Sequence, residues 1–368
     1  MNLNELGWHP FFESCFDQYK PDGLVPARVS CEQKGLYQVI GEGGEFRAEV
    51  TGRMMHRARS RADFPVVGDW VAVEPRINEG RATITAVLPR RSSFSRKAVL
   101  SGGNPDGGGK TDEQLLATNV DTVFLVSGLD GDFNPRRIER YVTVAWDSGA
   151  VPVIILNKVD LCEDIDQRIE QVGEVAFGVP VHPVSATTKE GFEDFDEYLS
   201  IGRTVVFLGS SGVGKSTIIN TLFGSERMKT KALREDDSRG RHTTTNRELI
   251  VLPGRGVVID TPGMREIAAY SDEEGLGRTF GDIEVLASSC RFVDCGHNGE
   301  PGCAVQEALA DGTLDTGRYN NYIKLLKEQA SLTLRKDQKA YRQATREWGK
   351  KVRRYHQGVK DLKKKGLL

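Results

Sequence analysis

Residues 209 to 216, with the sequence GSSGVGKS, constrain the fold of this 368-residue chain more than any other segment. They stand between the apolar run TVVFL and the helical run STIINTLF, which is the strand, glycine-rich loop and helix arrangement of a phosphate-binding loop. Glycines let backbone N–H groups surround phosphates, and the helix N-terminus adds a favourable dipole. The segment therefore predicts an α/β domain that binds a nucleotide.

Each position of this loop has an expected role. We expect Lys215 to contact the β and γ phosphate oxygens and to act in catalysis, and Ser216 to ligate magnesium. The predicted nucleotide-binding residues of the loop are Gly209, Ser210, Ser211, Gly212, Val213, Gly214, Lys215, Ser216 and Thr217.

A second motif predicts which base is bound. Asn157, Lys158 and Asp160 belong to the NKVD segment that follows the apolar strand VPVIIL. Asp160 can accept hydrogen bonds from N1–H and the exocyclic amine of guanine, whereas adenine would leave a buried carboxylate unpaired. Asn157 is expected to tie this loop to the phosphate-binding loop. Ser185 and Ala186, after the run VPVHPV, fit the loop that backs the guanine.

Downstream motifs predict how magnesium and the γ-phosphate are contacted. Asp260 begins the DTPG turn after the strand GVVID, where it would hold magnesium through water while the Gly263 amide senses the γ-phosphate. The preceding segment GRHTTT stands where a switch threonine caps magnesium, and we favour Thr245 with Thr244 as the alternative.

The motifs occur in an unusual order, with the base motif before the phosphate-binding loop. In Ras-like proteins the phosphate-binding loop comes first, and a circular permutation reconciles the two orders because domain termini often lie close together.

Met264 replaces the glutamine that follows the DxxG turn in Ras-like enzymes, so we expect slow hydrolysis by the isolated protein. His242 is our candidate for positioning the attacking water, and its alternative role is contact with RNA or solvent.

A cysteine and histidine cluster predicts one structural zinc ion. Cys290, Cys295, His297 and Cys303 follow the spacing C-x4-C-x-H-x5-C. Three thiolates and one imidazole complete a tetrahedral set and leave no open position for catalysis. A cluster of buried free cysteines is the alternative, but the glycines and polar residues between the ligands favour a metal loop.

Short β-rich runs between about residues 25 and 88 predict a small barrel. Five strands fit the oligonucleotide-binding (OB) barrel, and an SH3-like barrel is the alternative. Arginines and a lysine in or beside its loops are candidate RNA contacts: Arg53, Arg57, Arg59, Arg61, Arg90, Arg91, Arg96 and Lys97.

Charge is concentrated at the C-terminal end. Residues 331 to 368 hold thirteen Lys or Arg against three acidic residues, a local net charge of +10, so the remainder carries −12 within the overall −2. Such a segment is typical of polyanion binding, and a solvated helix face is the alternative.

No run approaches the roughly 18 apolar residues of a membrane span, so we expect a cytoplasmic protein without a membrane partner. No apolar heptad predicts more than a monomer.

Together these motifs closely resemble the ribosome small subunit-dependent GTPase A family. The supporting stretches include GDWVAVE, NPRRIERYVTVAW, GRHTTTNREL and DTPGMRE, in addition to those above. The resemblance implies a cytoplasmic GTPase of late small-subunit maturation that binds GTP or GDP with Mg²⁺, contacts ribosomal RNA, is stimulated by the subunit and helps release another assembly factor.

The resemblance also implies a multidomain architecture. We predict an N-terminal extension at 1–24, an OB-fold barrel at 25–100, a linker at 101–112, a circularly permuted G domain at 113–270, a zinc-binding domain at 271–330 and a basic helical tail at 331–368. Two other functions compete with the GTPase hypothesis. One is a P-loop ATPase or kinase, and the other is a non-catalytic RNA-binding module that holds nucleotide as a structural ligand.

Overall fold

A computed structural model describes residues 2–33, 35–58, 60–99, 111–223, 247–260 and 273–336. The chain forms two compact units, one of residues 1–98 with 112–285 and the other of residues 99–111 with 286–368. The strands are β1 Val25–Gln33, β2 Leu36–Gly41, β3 Gly44–Val50, β4 Trp70–Arg76, β5 Arg81–Val87, β6 Ser93–Val99, β7 Thr111–Thr118, β8 Thr122–Gly128, β9 Val151–Asn157, β10 Val181–Val184, β11 Thr204–Leu208, β12 Glu248–Val251 and β13 Val257–Asp260. The α-helices are α1 Pro10–Phe16, α2 Gly52–Arg57, α3 Pro135–Asp147, α4 Ile165–Val175, α5 Lys215–Phe223, α6 Glu273–Thr279, α7 Gly281–Ser288, α8 Ala304–Ala310 and α9 Thr316–Lys336.

The first five strands close into a barrel in the order β1-β2-β3-β5-β4 and back to β1. All neighbouring pairs are antiparallel except β3 and β5, which are parallel. Alternation of buried and exposed residues along β3 places Phe46, Ala48 and Val50 inside, where they pack with Val71 and Ile84. The ring of five strands confirms the predicted OB-type barrel.

A second sheet has the order β10-β9-β8-β11-β13-β12, parallel throughout except for the antiparallel pair of β12 and β13. Residues of β8 and β11 are buried along their entire length. Such continuous apolar strands are expected when both faces of a parallel sheet are covered. Apolar clusters lie on the two faces, and helices α3, α4 and α5 follow β8, β9 and β11. This is the predicted α/β domain.

Strand β12 also pairs with β1 of the barrel, at Glu248 and Cys31, so that the two sheets are continuous. The N-terminal segment, to which the sequence analysis assigned no role, supplies a further apolar cluster. Its Trp8, Phe12 and Phe16 pack with Trp70 of β4, and the rings of Trp8 and Trp70 meet edge to face at 4.7 Å. The segment is therefore part of the hydrophobic core of the first unit.

A buried arginine connects three parts of the first unit. Arg28 of β1 is 1% exposed and donates to the carbonyl oxygens of Leu6, Gly68 and Asn119 and to Thr204 Oγ1 at 2.9 Å. Burial lowers the pKa of Arg28 to about 10, still far above neutrality, so the guanidinium stays charged. Its bonds join the N-terminal segment and the barrel to the strands of the α/β sheet.

Strands β6 and β7 form a separate two-stranded sheet around the glycine-rich residues 101–110, which lie outside the described residues. Strand β7 begins at Thr111, within the last two positions of the predicted linker.

In the second unit, α8 and α9 follow the cysteine-bearing loop, and the basic tail beyond residue 336 is outside the described residues. Among the helices described, none combines the length and apolarity needed to cross a membrane.

Candidate nucleotide-binding site and metal centre

The predicted nucleotide motifs follow the carboxyl ends of adjacent strands. Gly209 follows β11, Asn157 ends β9, Ser185 follows β10 and Asp260 ends β13. Because these strands are parallel, their carboxyl ends lie at one edge of the sheet, where α/β proteins bind ligands. The topology therefore brings together motifs that are far apart in the sequence.

Close packing holds the phosphate-binding loop in shape. Gly214 has φ of 97°, and a Cβ added there would lie 2.2 Å from Asn157 Nδ2, so a larger residue cannot fit without a shift. Lys215 Nζ donates to the carbonyl oxygens of Gly209 and Ser210 at 2.7 and 2.6 Å. The ammonium group is thus held at the loop that the phosphates would occupy.

Asn157 links the base motif to the phosphate-binding loop, as the sequence analysis expected. Its side chain is 2% exposed, donates from Nδ2 to the carbonyl oxygen of Val213 at 2.8 Å and accepts from the Ala186 N–H at 3.0 Å. One amide side chain therefore fixes all three loops that would surround a bound nucleotide.

Asp160 is oriented by the neighbouring loop. Ser185 Oγ donates to Asp160 Oδ1 at 2.6 Å and accepts from the Thr188 N–H at 3.1 Å. The second carboxylate oxygen of Asp160 receives no hydrogen bond from the described residues, so it can accept from a base. This pairing gives Ser185 a physical role that its position in the sequence alone could not establish.

One contact at this edge was missed by sequence reasoning. Lys158 Nζ forms an ion pair with Asp130, which lies just beyond β8. The ammonium group holds the pKa of the Asp130 carboxyl below its ordinary value. Lys158 itself has φ of 70°, a left-handed conformation that is uncommon for lysine. The SGLDGD segment after the buried strand was the available signal, because it places a carboxylate at the same sheet edge.

Several predicted site residues lie outside the described part of the chain. These are His242, Thr244, Thr245, Gly263 and Met264. Of the predicted magnesium ligands, Ser216 lies in the first turn of α5 and Asp260 is the last residue of β13. Strand β11, which precedes the loop before Ser216, and strand β13, which ends at Asp260, are parallel neighbours. Both residues therefore lie at the same edge of the sheet.

The structure brings together all four predicted zinc ligands, in the second unit. The candidate ligand atoms of Cys290, Cys295, His297 and Cys303 all lie within 4.8 Å of one another. Cys290 Sγ is 3.9 Å from Cys303 Sγ, and His297 Nδ1 is 3.6 and 3.4 Å from these two sulfur atoms. A tetrahedron with Zn–S bonds of about 2.3 Å has edges of about 3.8 Å. The four residues therefore fit a tetrahedral metal.

Glu300 organises the loop that carries these ligands. Its carboxylate accepts from the backbone N–H groups of Gly296 and Asn298, at 3.1 and 2.6 Å. Backbone hydrogen bonds, including that of Asn298, hold the pKa of Glu300 below its ordinary value. Gln306 of α8 donates to the His297 carbonyl oxygen at 2.7 Å. The loop is thus shaped by its own hydrogen bonds, and of its three cysteines only Cys303 is buried.

Arg90, counted among the candidate RNA contacts, has a structural role instead. It forms a bidentate pair with the fully buried Asp69, at 2.8 and 2.7 Å, and also donates to the carbonyl oxygens of Ala62 and Phe64. Because its donors are committed to the barrel, Arg90 is not available for a phosphate. Proximity to a loop in the sequence could not reveal the buried carboxylate.

Comparisons with known proteins agree with this geometry. The sequence model of the RsgA GTPase family matches residues 87–270. The chain is 46% identical over 359 residues to the small ribosomal subunit biogenesis GTPase RsgA of Opitutus terrae, covering 95% of this chain and 96% of that relative. It is 42% identical to the protein of the same name from Syntrophotalea carbinolica, covering 97% and 99%.

Two solved structures are similar to this chain over more than four fifths of its length. The crystal structure of YjeQ from Thermotoga maritima has a TM-score of 0.60 and 25% identity, covering 84% of this chain and 99% of that one. YloQ, described as a circularly permuted GTPase, has a TM-score of 0.57 and 25% identity, covering 83% of this chain and 95% of that one.

The predicted circular permutation is confirmed, and the ATPase or kinase and non-catalytic alternatives are set aside. The chain is a GTP hydrolase that belongs to the RsgA GTPase family.

Proposed function

We propose that this protein hydrolyses GTP to control its binding to the small ribosomal subunit during late maturation of that subunit in the cytoplasm. The main support is the convergence of Asn157, Asp160, Lys215 and Asp260 at one sheet edge of a chain whose close relatives are named small ribosomal subunit biogenesis GTPases. The protein acts in this proposal as a monomer that cycles between GTP and GDP.

The base and phosphates are held by different loops. Asp160, oriented by Ser185, accepts two hydrogen bonds from guanine, and Ala186 backs the base. Residues 209–217 surround the phosphates, with Lys215 released from its two loop carbonyls to meet the β and γ oxygens. Adenine has no N1–H and no amine at C2, so it cannot make these two hydrogen bonds with Asp160.

Magnesium and the reacting phosphate are contacted by residues from three segments. We assign Ser216, Thr245 and Asp260 to magnesium, with Thr244 as the alternative to Thr245, and the Gly263 amide to the γ-phosphate. Magnesium held by these residues would neutralise charge on the phosphates. Lys215 and Thr245 contact the transferring group, and His242 positions the attacking water because Met264 cannot polarise it.

The metal centre and the basic segments serve recognition. One structural zinc ion held by Cys290, Cys295, His297 and Cys303 fixes the loop before α8. Residues 331–368, with a net charge of +10, contact ribosomal RNA, and hydrolysis stimulated by the subunit helps release another assembly factor.

The deciding experiment is the rate of GTP hydrolysis, measured alone and with purified small ribosomal subunits. We expect the subunits to stimulate the wild type and not Lys215→Ala, which also controls for contaminating activity. His242→Ala should then lose most of the stimulated rate while retaining GTP affinity. A wild type that binds GTP but is not stimulated by subunits would contradict the proposal.

A further inference from the structure

The loop after strand β8 is tied to the base motif by three contacts. Gly128 pairs in register with Asn157, and the Leu129 N–H donates to the Asn157 carbonyl oxygen at 2.8 Å. The third contact is the ion pair of Asp130 with Lys158. The first two contacts are made by the backbone, whereas the ion pair depends on the identity of both side chains.

The carboxylate of this ion pair is itself held in place. Asp130 Oδ1 accepts from the Asp132 N–H at 3.2 Å, while Oδ2 faces the Lys158 ammonium group. The carboxylate also folds back over Gly128, where an added Cβ would lie 2.8 Å from Oδ1. The side chains of Asp130 and Lys158 are only 32% and 25% exposed. The pair therefore has a fixed geometry, unlike an exposed ion pair that must order two free side chains.

The backbone of Lys158 has a conformation that is costly for a lysine. Its φ of 70° lies in the left-handed region, which glycine and asparagine adopt more readily. Residues of other types persist there where the surrounding structure fixes them, and they cluster at functional sites. The presence of a lysine at this position points to a role for its side chain.

The strand order indicates what this side chain would contact. Ala186 and Asp160, assigned to the base, follow β10 and β9, and the phosphate-binding loop follows β11. Strand β8 lies between β9 and β11, so a nucleotide held by both groups of loops would cross its carboxyl end. The sugar joins the base to the phosphates. It would therefore lie beside Asp130, which follows β8, and Lys158, which follows β9.

We propose that Asp130 is a positioning residue for guanine-nucleotide binding, which acts by holding the Lys158 side chain extended across the gap between β9 and β8. The inference rests on the nucleotide site proposed above. A lysine stem covers apolar surface while its ammonium group stays in polar contact, so a fixed stem offers the sugar and the adjoining part of the base a preformed contact. Ordering one flexible side chain during binding lowers affinity by roughly two- to tenfold, and Asp130 removes that loss beforehand.

The sign of the effect separates this role from simple electrostatics. A nucleotide diphosphate is a polyanion, so a nearby carboxylate weakens its binding if charge alone matters. Removal of the Asp130 charge would then raise affinity. If Asp130 instead positions Lys158, the same removal lowers affinity, because the lysine stem has to be ordered by the nucleotide.

The test is calorimetric titration of the full-length protein with unlabelled GDP. We expect Asp130→Asn to bind roughly two- to tenfold more weakly than the wild type, and Asp130→Glu to recover most of the loss. In a Lys158→Met background, Asp130→Asn should cause no further loss, because a residue that acts through another is not additive with it. The stoichiometry of each titration reports the folded fraction, so unfolded protein is not counted as weaker binding.

Inosine diphosphate, which lacks the exocyclic amine of guanine, distinguishes positioning from a general loosening of the base motif. Asp160 is the residue assigned to that amine, and Asp130 is not. We therefore expect Asp130→Asn to keep the wild-type ratio of GDP to inosine diphosphate affinities. A loosened base motif would lower this ratio.

The matched control is Asp132→Asn, which removes the same charge from the same loop. Asp132 is 35% exposed and pairs with Arg137 at 2.9 Å, outside the base motif, so this variant should keep the wild-type affinity. Unchanged or higher affinity in Asp130→Asn, an equal loss in Asp132→Asn, or additive losses with Lys158→Met would overturn the proposal. Wild-type GDP binding and subunit-stimulated GTP hydrolysis are measured separately, and their absence would count against the function proposed above instead.

Discussion

Asn157 and Val213 are 56 positions apart in the chain and are joined by a hydrogen bond of 2.8 Å from the side-chain amide to the backbone carbonyl. This bond connects the base motif to the phosphate-binding loop before any nucleotide is bound. The same side chain accepts from the Ala186 N–H at 3.0 Å. Asn157 therefore pre-organises the site, and its contribution can be measured.

Asn157→Ala should reduce affinity for GTP and GDP alike, because the loops lose their connection while the γ-phosphate contacts are unchanged. A buried group left unpaired costs about 1 to 3 kcal/mol, so we expect a loss of roughly tenfold or more. Titration with fluorescent guanine nucleotides measures it. Asn157→Asp retains an acceptor for Ala186 and loses the donor to Val213, so it isolates the second bond. Unchanged affinity in both variants would refute the role.

Arg28→Met should destabilise the first unit strongly. The substitution leaves the buried carbonyl oxygens of Leu6, Gly68 and Asn119 without this donor, and we expect about 3 to 5 kcal/mol lower free energy of unfolding. Urea unfolding followed by tryptophan fluorescence measures the change. Arg203→Met, at an exposed position, should change it by less than about 0.5 kcal/mol. Equal stability of the two variants would show that the buried network contributes nothing.

The pair of Asp130 and Lys158 predicts a pH dependence. Because the ammonium group lowers the pKa of Asp130 below its ordinary value of 3.8, the pair stabilises the fold above that pH and loses its effect as the pH falls through the folded pKa. Asp130→Asn should therefore lower the free energy of unfolding by about 0.5 to 1 kcal/mol between pH 5 and 8. The difference should shrink as the pH falls below 3.8 and through the folded pKa of Asp130, and a difference that stays constant over this range would exclude the ion pair as its cause.

The metal centre predicts one zinc ion per chain, measurable by elemental analysis of purified protein. Cys295→Ser/Cys303→Ser should lose the metal because two of four ligands are replaced by weaker ones. Cys15→Ser/Cys162→Ser removes the same number of thiols outside the cluster and should keep it. Chelation should unfold the loop before α8, observed as increased amide exchange. Full metal content in the first double variant would rule out these ligands.

The features that sequence predicted best are those set by local chemistry. The phosphate-binding loop and the base motif each depend on a few adjacent residues after an apolar strand, and the structure places them at strand ends as expected. The four candidate zinc ligands, which the structure brings together, also lie within fourteen consecutive residues, from Cys290 to Cys303. Short-range patterns of this kind carry their own geometric requirements, so one sequence is enough to identify them.

Features that depend on distant partners were not predicted. Arg28 meets Thr204 across 176 positions, and Arg90 meets Asp69 across 21, so neither contact leaves a periodic pattern. Of the apolar residues before β1, Phe12 and Phe16 lie on a helix of only seven residues, which is too short to establish a helical period. Arg47 of β3 lies opposite Arg81 of β5 only because of the strand register. Tertiary pairing, which one sequence does not reveal, decides each of these.

The pairing of β12 with β1 has a consequence for handling the protein in pieces. Strand β12 is the outermost strand of the α/β sheet, and the barrel lies beside it at Glu248 and Cys31. Unprotected edges that expose backbone N–H and C=O groups promote aggregation between molecules. A fragment that begins after the barrel would uncover this edge next to the buried Leu249 and Ile250. We therefore expect such a fragment to aggregate more readily than a protein that retains the barrel.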